Sequence, residues 1–109
     1  MPHGITFDAD GNVWLTDVAL HQVFRYRRDQ YDHPELVLGE KFVPGADLGH
    51  FCKPTDVAVS STGMVFIADG YCNQRVVVAD AAGRIIGEIG VQGMFFTSMA
   101  ITFVLLVRS

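Results

Sequence analysis

The sequence predicts an all-β fold with two copies of one four-stranded antiparallel unit, which is the organisation of successive β-propeller blades. When the sequence is shifted by 52 positions, Pro2 falls on Pro54, and many glycine, aspartate and apolar positions coincide. Short apolar runs alternate in each copy with residues that favour tight turns. An unrelated β-sandwich with accidental repetition is the alternative interpretation. The coincident pairs include Gly11 and Gly63, Val13 and Val65, Trp14 and Phe66, Asp17 and Asp69, and Gln22 and Gln74.

The repeat divides the chain into four segments. We assign residues 1–39 to a first blade, 40–53 to an inter-blade loop, 54–90 to a second blade and 91–109 to a divergent apolar tail. Proline and glycine at several positions of the 40–53 segment favour a loop over a strand. The predicted strands are Gly4–Asp8, Val13–Thr16, Gln22–Arg25 and Leu36–Leu38 in the first copy, and Asp56–Ser60, Met64–Ala68, Arg75–Ala79 and Arg84–Ile89 in the second.

The apolar tail differs from the repeat. Met94–Val107 has neither turn residues nor alternation, and its 14 residues are fewer than the roughly 20 that a membrane-spanning helix needs. We interpret it as a terminal segment foreign to the fold. A short membrane anchor through 94–107 is the less favoured alternative.

Charge and cysteine content exclude several classes of function. The formal net charge is −4, and the one local basic cluster, Arg25, Arg27 and Arg28, lies beside acidic residues. That pattern is typical of a solvated loop rather than of a nucleic-acid interface.

The two cysteines form no CxxC pair, which argues against a thiolate zinc cluster. No signal peptide is visible at the N-terminus, so we expect any targeting segment to lie outside this chain.

Hairpin geometry predicts a bridge between Cys52 and Cys72. A hairpin that turns at Thr62 pairs residues whose numbers add to about 124, and the numbers of these two cysteines add to 124. If the pairing continues past the strand ends, the two residues face each other at a distance that suits a disulfide. Two buried free thiols are the alternative. A bridge would place the chain in an oxidising compartment.

Two polar residues are candidates for chemistry. His3 begins the innermost strand of the first blade, where a rim imidazole could bind a metal, although the second copy has Thr55 at that position. Tyr71 is predicted at the same hairpin end as Thr55, and a phenol near a cation could act as a general base. By composition alone, an ordinary surface histidine and a packed tyrosine are the simpler interpretations. Asp17 and Asp69 recur in the repeat and are expected to bind nearby backbone N–H groups.

Long contiguous motifs resemble one enzyme family, the peptidyl-α-hydroxyglycine α-amidating lyases, over about 2–90. The resemblance is carried by Pro-His-Gly-Ile at 2–5, Trp-Leu-Thr-Asp-Val-Ala-Leu-His-Gln-Val-Phe at 14–24, His-Phe-Cys-Lys-Pro-Thr-Asp-Val-Ala-Val at 50–59 and Asp-Gly-Tyr-Cys-Asn-Gln-Arg at 69–75. It implies a six-bladed propeller of NHL repeats. It also implies cleavage of a peptide substrate with a C-terminal α-hydroxyglycine into a peptide amide and glyoxylate.

The resemblance implies a role for each matching residue. His3 corresponds to a zinc ligand, Ile5 to a position whose backbone carbonyl helps to bind calcium, and Tyr71 to the catalytic tyrosine. Cys52 and Cys72 correspond to a family disulfide. The other zinc histidines, calcium ligands and active-site arginines have no counterpart here. We therefore expect a two-blade fragment, inactive alone, of a lyase of the secretory pathway or extracellular space. The alternative is a non-catalytic NHL-type module that binds a peptide or protein.

Overall fold

The computed structural model describes residues 2–70 and 72–90, in which eight β-strands form two four-stranded antiparallel sheets. In each sheet the strands pair in chain order, as in successive propeller blades. The prediction of an all-β fold built from two repeated units is confirmed. The first sheet contains β1 (Pro2–Phe7), β2 (Val13–Asp17), β3 (Gln22–Tyr26) and β4 (Leu36–Leu38). The second contains β5 (Pro54–Val59), β6 (Val65–Asp69), β7 (Arg75–Ala79) and β8 (Ile85–Gly90).

The first strand of each sheet is longer than predicted. β1 begins at Pro2 rather than Gly4, and β5 begins at Pro54 rather than Asp56. Both differences have one cause, because pairing with the second strand of the sheet continues past a shift in register near the start of β1 and of β5. Local propensity does not reveal such a shift, and the sequence therefore placed the strand starts too late.

Three hairpin turns share one five-residue construction with a glycine at the fourth position. Gly11, Gly63 and Gly83 have φ angles of +83°, +91° and +87°, a left-handed conformation that glycine adopts without steric cost. In each turn, a side-chain oxygen of the first residue accepts the backbone N–H of the fifth. These bonds are Asn12 N to Asp8 Oδ1 at 3.0 Å, Met64 N to Ser60 Oγ at 3.1 Å and Arg84 N to Asp80 Oδ1 at 2.9 Å.

The two sheets pack against one another through an apolar core, with β1 and β2 in contact with β5. Trp14 is 1% exposed, and its Nε1–H donates to a carboxylate oxygen of Asp8 at 3.1 Å. The core therefore joins β2, β3 and β4 of the first sheet to β5, β6 and β7 of the second. Its members are Trp14, Val23, Leu38, Phe51, Val57, Val65, Ile67, Val77 and Ala79.

Apolar side chains also lie on the face of the first sheet that points away from this core. Ile5, Phe7 and Val37 are 60%, 64% and 45% exposed. Because a propeller blade buries both faces against its neighbours, these side chains mark the surface that a further blade would cover.

The apolar tail at 91–109, including the alternative membrane anchor at 94–107, lies outside the described residues. Among residues 2–70 and 72–90, no helix is long and apolar enough to cross a membrane.

Candidate functional site

A β-bulge occurs at the same place in both copies. The register of β1 shifts between Pro2 and Gly4, which makes His3 an extra residue that has no partner position on β2. The register of β5 shifts at the equivalent point, where Thr55 is the extra residue. Bulges bend a strand and redirect a side chain, and they are common beside active sites. His3 and Thr55 are therefore displaced from the regular alternation of their strands.

His3 and Thr55 are in direct contact across the two blades. The imidazole Nδ1 of His3 lies 2.7 Å from the backbone carbonyl oxygen of Thr55. Because a carbonyl oxygen can only accept, Nδ1 is the donor. The Thr55 hydroxyl points back into its own sheet and donates to the carbonyl of Ala68 at 3.2 Å. The two bulges thus meet at one end of the sheets, and one imidazole is exposed there.

The carboxylate of Asp69, at the end of β6, organises the segment that follows it. It is fully buried and accepts three hydrogen bonds of 2.8 Å, from the backbone N–H of Cys52, from Asn73 Nδ2 and from Arg75 Nε. One backbone donor to Asp69 comes from 17 residues away in the chain. Whether Asp69 also binds the N–H two residues later, at Tyr71, lies outside the described residues. For Asp17 the expectation of bonds to nearby backbone N–H groups is confirmed, since its carboxylate accepts the N–H groups two and three residues later.

Arg75 ties the inter-blade loop to the second sheet. Its guanidinium is almost fully buried and donates to three loop carbonyls, those of Ala46 at 2.7 Å, Asp47 at 3.0 Å and His50 at 2.6 Å. Arginine is suited to this role because its planar group presents five donors in fixed directions. The buried guanidinium of Arg75 therefore fixes the backbone of the inter-blade loop through these three hydrogen bonds.

His50 links two acidic side chains of the same inter-blade loop. Its Nδ1 lies 2.7 Å from Asp47 Oδ1, and its Nε2 lies 3.0 Å from Glu40 Oε2. The hydrogen bond with Asp47, and then that with Glu40, raises the pKa of His50 above its ordinary value. The same bond with His50, together with the N–H of Gly49, lowers the pKa of Asp47.

The structure contains the predicted bridge between Cys52 and Cys72, with the Cα atoms 5.5 Å apart. The hairpin register has the predicted sum from Val59–Val65 to Asp56–Ala68 and then changes by one residue at the bulge. The premise that pairing continues unshifted is therefore wrong. The bridge closes nonetheless, because the bulge moves the chain by one residue and leaves the Cα distance within the disulfide range.

Ile5 and Tyr71 are the remaining predicted site residues. Ile5 lies on β1 opposite Leu15, with its side chain largely exposed. Tyr71 lies outside the described residues. Its neighbours Gly70 and Cys72 belong to the segment that Asp69 and the disulfide hold. In the described ranges, no three His, Cys, Asp or Glu side chains are arranged to hold a metal ion.

The sequence interpretation missed two features of this site. Arg75 is the only charged residue of the otherwise apolar β7, and a charge inside a buried strand signals a buried partner. The equivalent residue of the first copy is the apolar Val23. The alignment of the two copies therefore shows a charge that only the second copy has. The bulges left no comparable signal, because Pro-His-Gly and Pro-Thr-Asp are both compatible with an ordinary strand start.

Comparison with known proteins agrees with this architecture. The NHL repeat model matches residues 51–79. The chain is 54% identical over 91 residues to the peptidyl-glycine alpha-amidating monooxygenase of Mus musculus, covering 83% of this chain and 9% of the mouse protein. It is 49% identical over 89 residues to the peptidyl-alpha-hydroxyglycine alpha-amidating lyase 2 of Drosophila melanogaster, covering 82% of this chain and 22% of that protein. A probable lyase of the same name from Caenorhabditis elegans is 51% identical over 89 residues, and the match covers 25% of it.

Solved structures show the same fold. Virginiamycin B lyase from Staphylococcus aureus superposes with a TM-score of 0.60 at 22% identity, over 85% of this chain and 28% of that one. A streptogramin B lyase superposes with a TM-score of 0.59 at 17% identity, over 83% and 26% of the two chains. The described residues therefore form two blades of an NHL-type β-propeller, and the chain is about half identical to amidating lyases and amidating monooxygenases, of which it spans a quarter of the length or less.

Proposed function

We propose that these two blades are part of a lyase that cleaves a peptidyl-α-hydroxyglycine into a peptide amide and glyoxylate. In this reaction the bond between the α-carbon and the amide nitrogen breaks. The α-hydroxyl loses its proton and becomes the aldehyde of glyoxylate, and the nitrogen gains a proton. Support comes from the identity of about half of the aligned residues to proteins named for this activity. The observation that carries the proposal is the exposed imidazole of His3 on a bulge between two blades.

In the proposed site His3 is one ligand of a zinc ion. The chemistry fits, because imidazole nitrogen is a common zinc ligand and the other ring nitrogen of a ligating histidine usually donates to an oxygen. A catalytic zinc normally has three protein ligands, so further ligands are expected from blades outside the described residues. When bound, zinc acts as a Lewis acid and favours loss of a proton from an oxygen that it contacts.

Two further roles follow from the family resemblance. Tyr71 takes the proton of the substrate hydroxyl, a task for which a phenol needs a nearby cation to lower its pKa from the ordinary value of about 10. Ile5 offers its backbone carbonyl to calcium, which prefers oxygen ligands. As with zinc, the described residues do not complete a calcium site, and the remaining oxygens are expected from other blades.

The isolated chain is proposed to be inactive and to derive from the secretory pathway or the extracellular space. A single histidine is a poor zinc site, and two blades leave open the channel in which substrate would bind. The compartment is inferred from the bridge between Cys52 and Cys72, because disulfides persist mainly in oxidising environments.

A graft tests the proposed function directly. Residues 2–90 would replace the aligned segment of the Drosophila melanogaster lyase 2, and glyoxylate release from an α-hydroxyglycine peptide would be measured. We expect the graft to be active, the purified 109-residue chain to release no glyoxylate, and His3→Ala or Tyr71→Phe to lower kcat by at least about a hundredfold, the usual effect of losing a group that acts in the chemical step. His33→Ala, at an exposed loop histidine, is the matched control.

The same experiment separates the proposal from a non-catalytic peptide-binding module. A module of that kind would leave the graft without turnover while peptide still bound, as measured by isothermal titration. An inactive graft that folds, or full activity of His3→Ala, contradicts the proposed function.

A further inference from the structure

We propose that the contact between Gly4 and the second blade selects the nitrogen through which His3 binds metal. The backbone carbonyl of Thr55 holds the imidazole in the tautomer with a proton on Nδ1, and Nε2 becomes the ligating atom. Gly4 is the positioning residue that lets the two strands approach closely enough for this bond. The inference rests on the proposed zinc role of His3 and deepens it.

The first step is the close approach at Gly4. A Cβ atom built on this residue would lie 2.8 Å from the carbonyl oxygen of Thr55 and 3.0 Å from the Cα of Asp56. Both are backbone atoms of β5, which cannot swing away as a flexible side chain could. Any larger residue at position 4 therefore has to push the two innermost strands apart. The N–H of Gly4 also donates to the buried hydroxyl of Thr16 at 2.8 Å, which fixes the backbone directly after the bulge.

The second step is the hydrogen bond that this approach permits. A neutral imidazole has one N–H and one nitrogen with a lone pair. The carbonyl of Thr55 accepts from Nδ1 at 2.7 Å, so the proton lies on Nδ1 and the lone pair lies on Nε2. Metal-ligating histidines commonly have this second partner, which sets both the tautomer and the orientation of the ring. Here the partner comes from the neighbouring blade, so ligand geometry depends on how the blades are packed.

A second histidine of the chain has the opposite arrangement. His21 Nδ1 accepts the backbone N–H of Lys53 at 3.0 Å, which places the proton of the neutral ring on Nε2. The two side chains therefore provide an internal contrast between tautomers. Sequence position alone does not distinguish them, because neither a place within β1, as for His3, nor one directly before β3, as for His21, specifies a tautomer.

Nitrogen NMR of the histidine-labelled 109-residue chain tests the tautomer without metal or substrate. Spectra would be recorded at about pH 9, where imidazole is neutral, and assigned with His3→Gln and His21→Gln. We expect the Nδ1–H form for His3 and the Nε2–H form for His21. A predominantly Nε2–H form of His3 overturns the inference, whatever the outcome for lyase activity. The tautomers themselves are read from the unaltered chain, and the two Gln variants serve only to assign its signals.

Gly4→Ala tests the positioning role, with Gly87→Ala as the matched control. A Cβ at Gly87 meets nothing within 4 Å, so both substitutions add one methyl group but only the first alters the blade contact. We expect Gly4→Ala to shift His3 toward a mixture of tautomers. In the grafted lyase, zinc affinity should fall roughly ten- to a hundredfold, the usual effect of losing a partner of a ligand. Gly87→Ala should change neither quantity.

Two outcomes distinguish this inference from the proposed function. If His3→Ala leaves the zinc content of the graft unchanged, the zinc role itself is wrong. If His3→Ala removes zinc but Gly4→Ala changes neither the tautomer nor the zinc affinity, the zinc role stands and the inference is overturned.

Discussion

The Nε of Arg75 lies 2.8 Å from the carboxylate of Asp69, and these two side chains are only 6% and 0% exposed. Through this pair, β6 and β7 are joined to the inter-blade loop, because Arg75 also donates to loop carbonyls and Asp69 accepts the N–H of Cys52. Buried ion pairs add little over an apolar pair, but removal of one partner leaves an uncompensated charge. The relationship therefore predicts a large effect of single substitutions in this part of the molecule.

Arg75→Met should lower the free energy of unfolding by about 3–5 kcal/mol, because it leaves the buried Asp69 carboxylate without its cationic partner. Urea denaturation monitored by circular dichroism measures the change. Arg84→Met is the control, since Arg84 is 83% exposed and pairs with Asp80 on the surface, and it should cost less than about 1 kcal/mol. Equal losses for the two variants would contradict the assigned role of the buried pair.

His50 should stabilise the protein in a pH-dependent way. Hydrogen bonds with Asp47 and then Glu40 raise the pKa of His50 in the folded protein. The stabilisation is therefore fully present below the unfolded pKa of about 6.5, and it is lost as the pH rises through the folded pKa. At low pH the stabilisation is lost again when the carboxylates of Asp47 and Glu40 are protonated, at about pH 4.

Thermal denaturation of His50→Gln and of the wild-type chain across this range checks the sign. The difference in Tm should be largest at about pH 5.5, below the ordinary histidine pKa, and should shrink at alkaline pH, where His50 has lost its proton. His33→Gln, at an exposed loop position, is the matched control. A His50 effect that grows with rising pH would refute the prediction.

The Cys52–Cys72 bridge closes a loop with a sequence separation of 20 residues. The double variant Cys52→Ser, Cys72→Ser should be less stable by about 3 kcal/mol, according to the chain-entropy model. Urea denaturation measures the loss, and the unreduced wild-type chain should react with no thiol reagent in mass spectrometry. Labelling of either cysteine without reductant would disprove the bridge.

The exposed apolar face of the first sheet should promote self-association. Phe7 and Val37 are 64% and 45% exposed on that face, and apolar patches on a sheet that lacks a partner are aggregation sites. Phe7→Lys should lower light scattering at a given protein concentration and raise solubility. Tyr31→Lys, at an exposed loop residue, adds the same charge elsewhere and should have a smaller effect. Equal gains in the two variants would mean that net charge alone is responsible.

The strand order, the turn positions and the cysteine pair could be predicted because each depends on local patterns. Gly63 requires a turn, and the apolar residues on either side of it set the hairpin register up to Asp56. The bulge at Thr55 could not be predicted, because Pro-Thr-Asp is equally compatible with a regular strand start. The partners of Asp69 were missed because Cys52 and Arg75 reach it from different parts of the chain.

The sequence by itself determined the repeated four-stranded unit, the family resemblance and the identity of the candidate residues, because periodicity, turn residues and contiguous motifs are all properties of the linear chain. Only the tertiary structure decided how His3 is held. Its hydrogen bond to Thr55 joins residues that are 52 positions apart and depends on a close approach at Gly4. A contact between two blades is a property of their packing, and packing is what gives the His3 imidazole its hydrogen-bond partner and its direction.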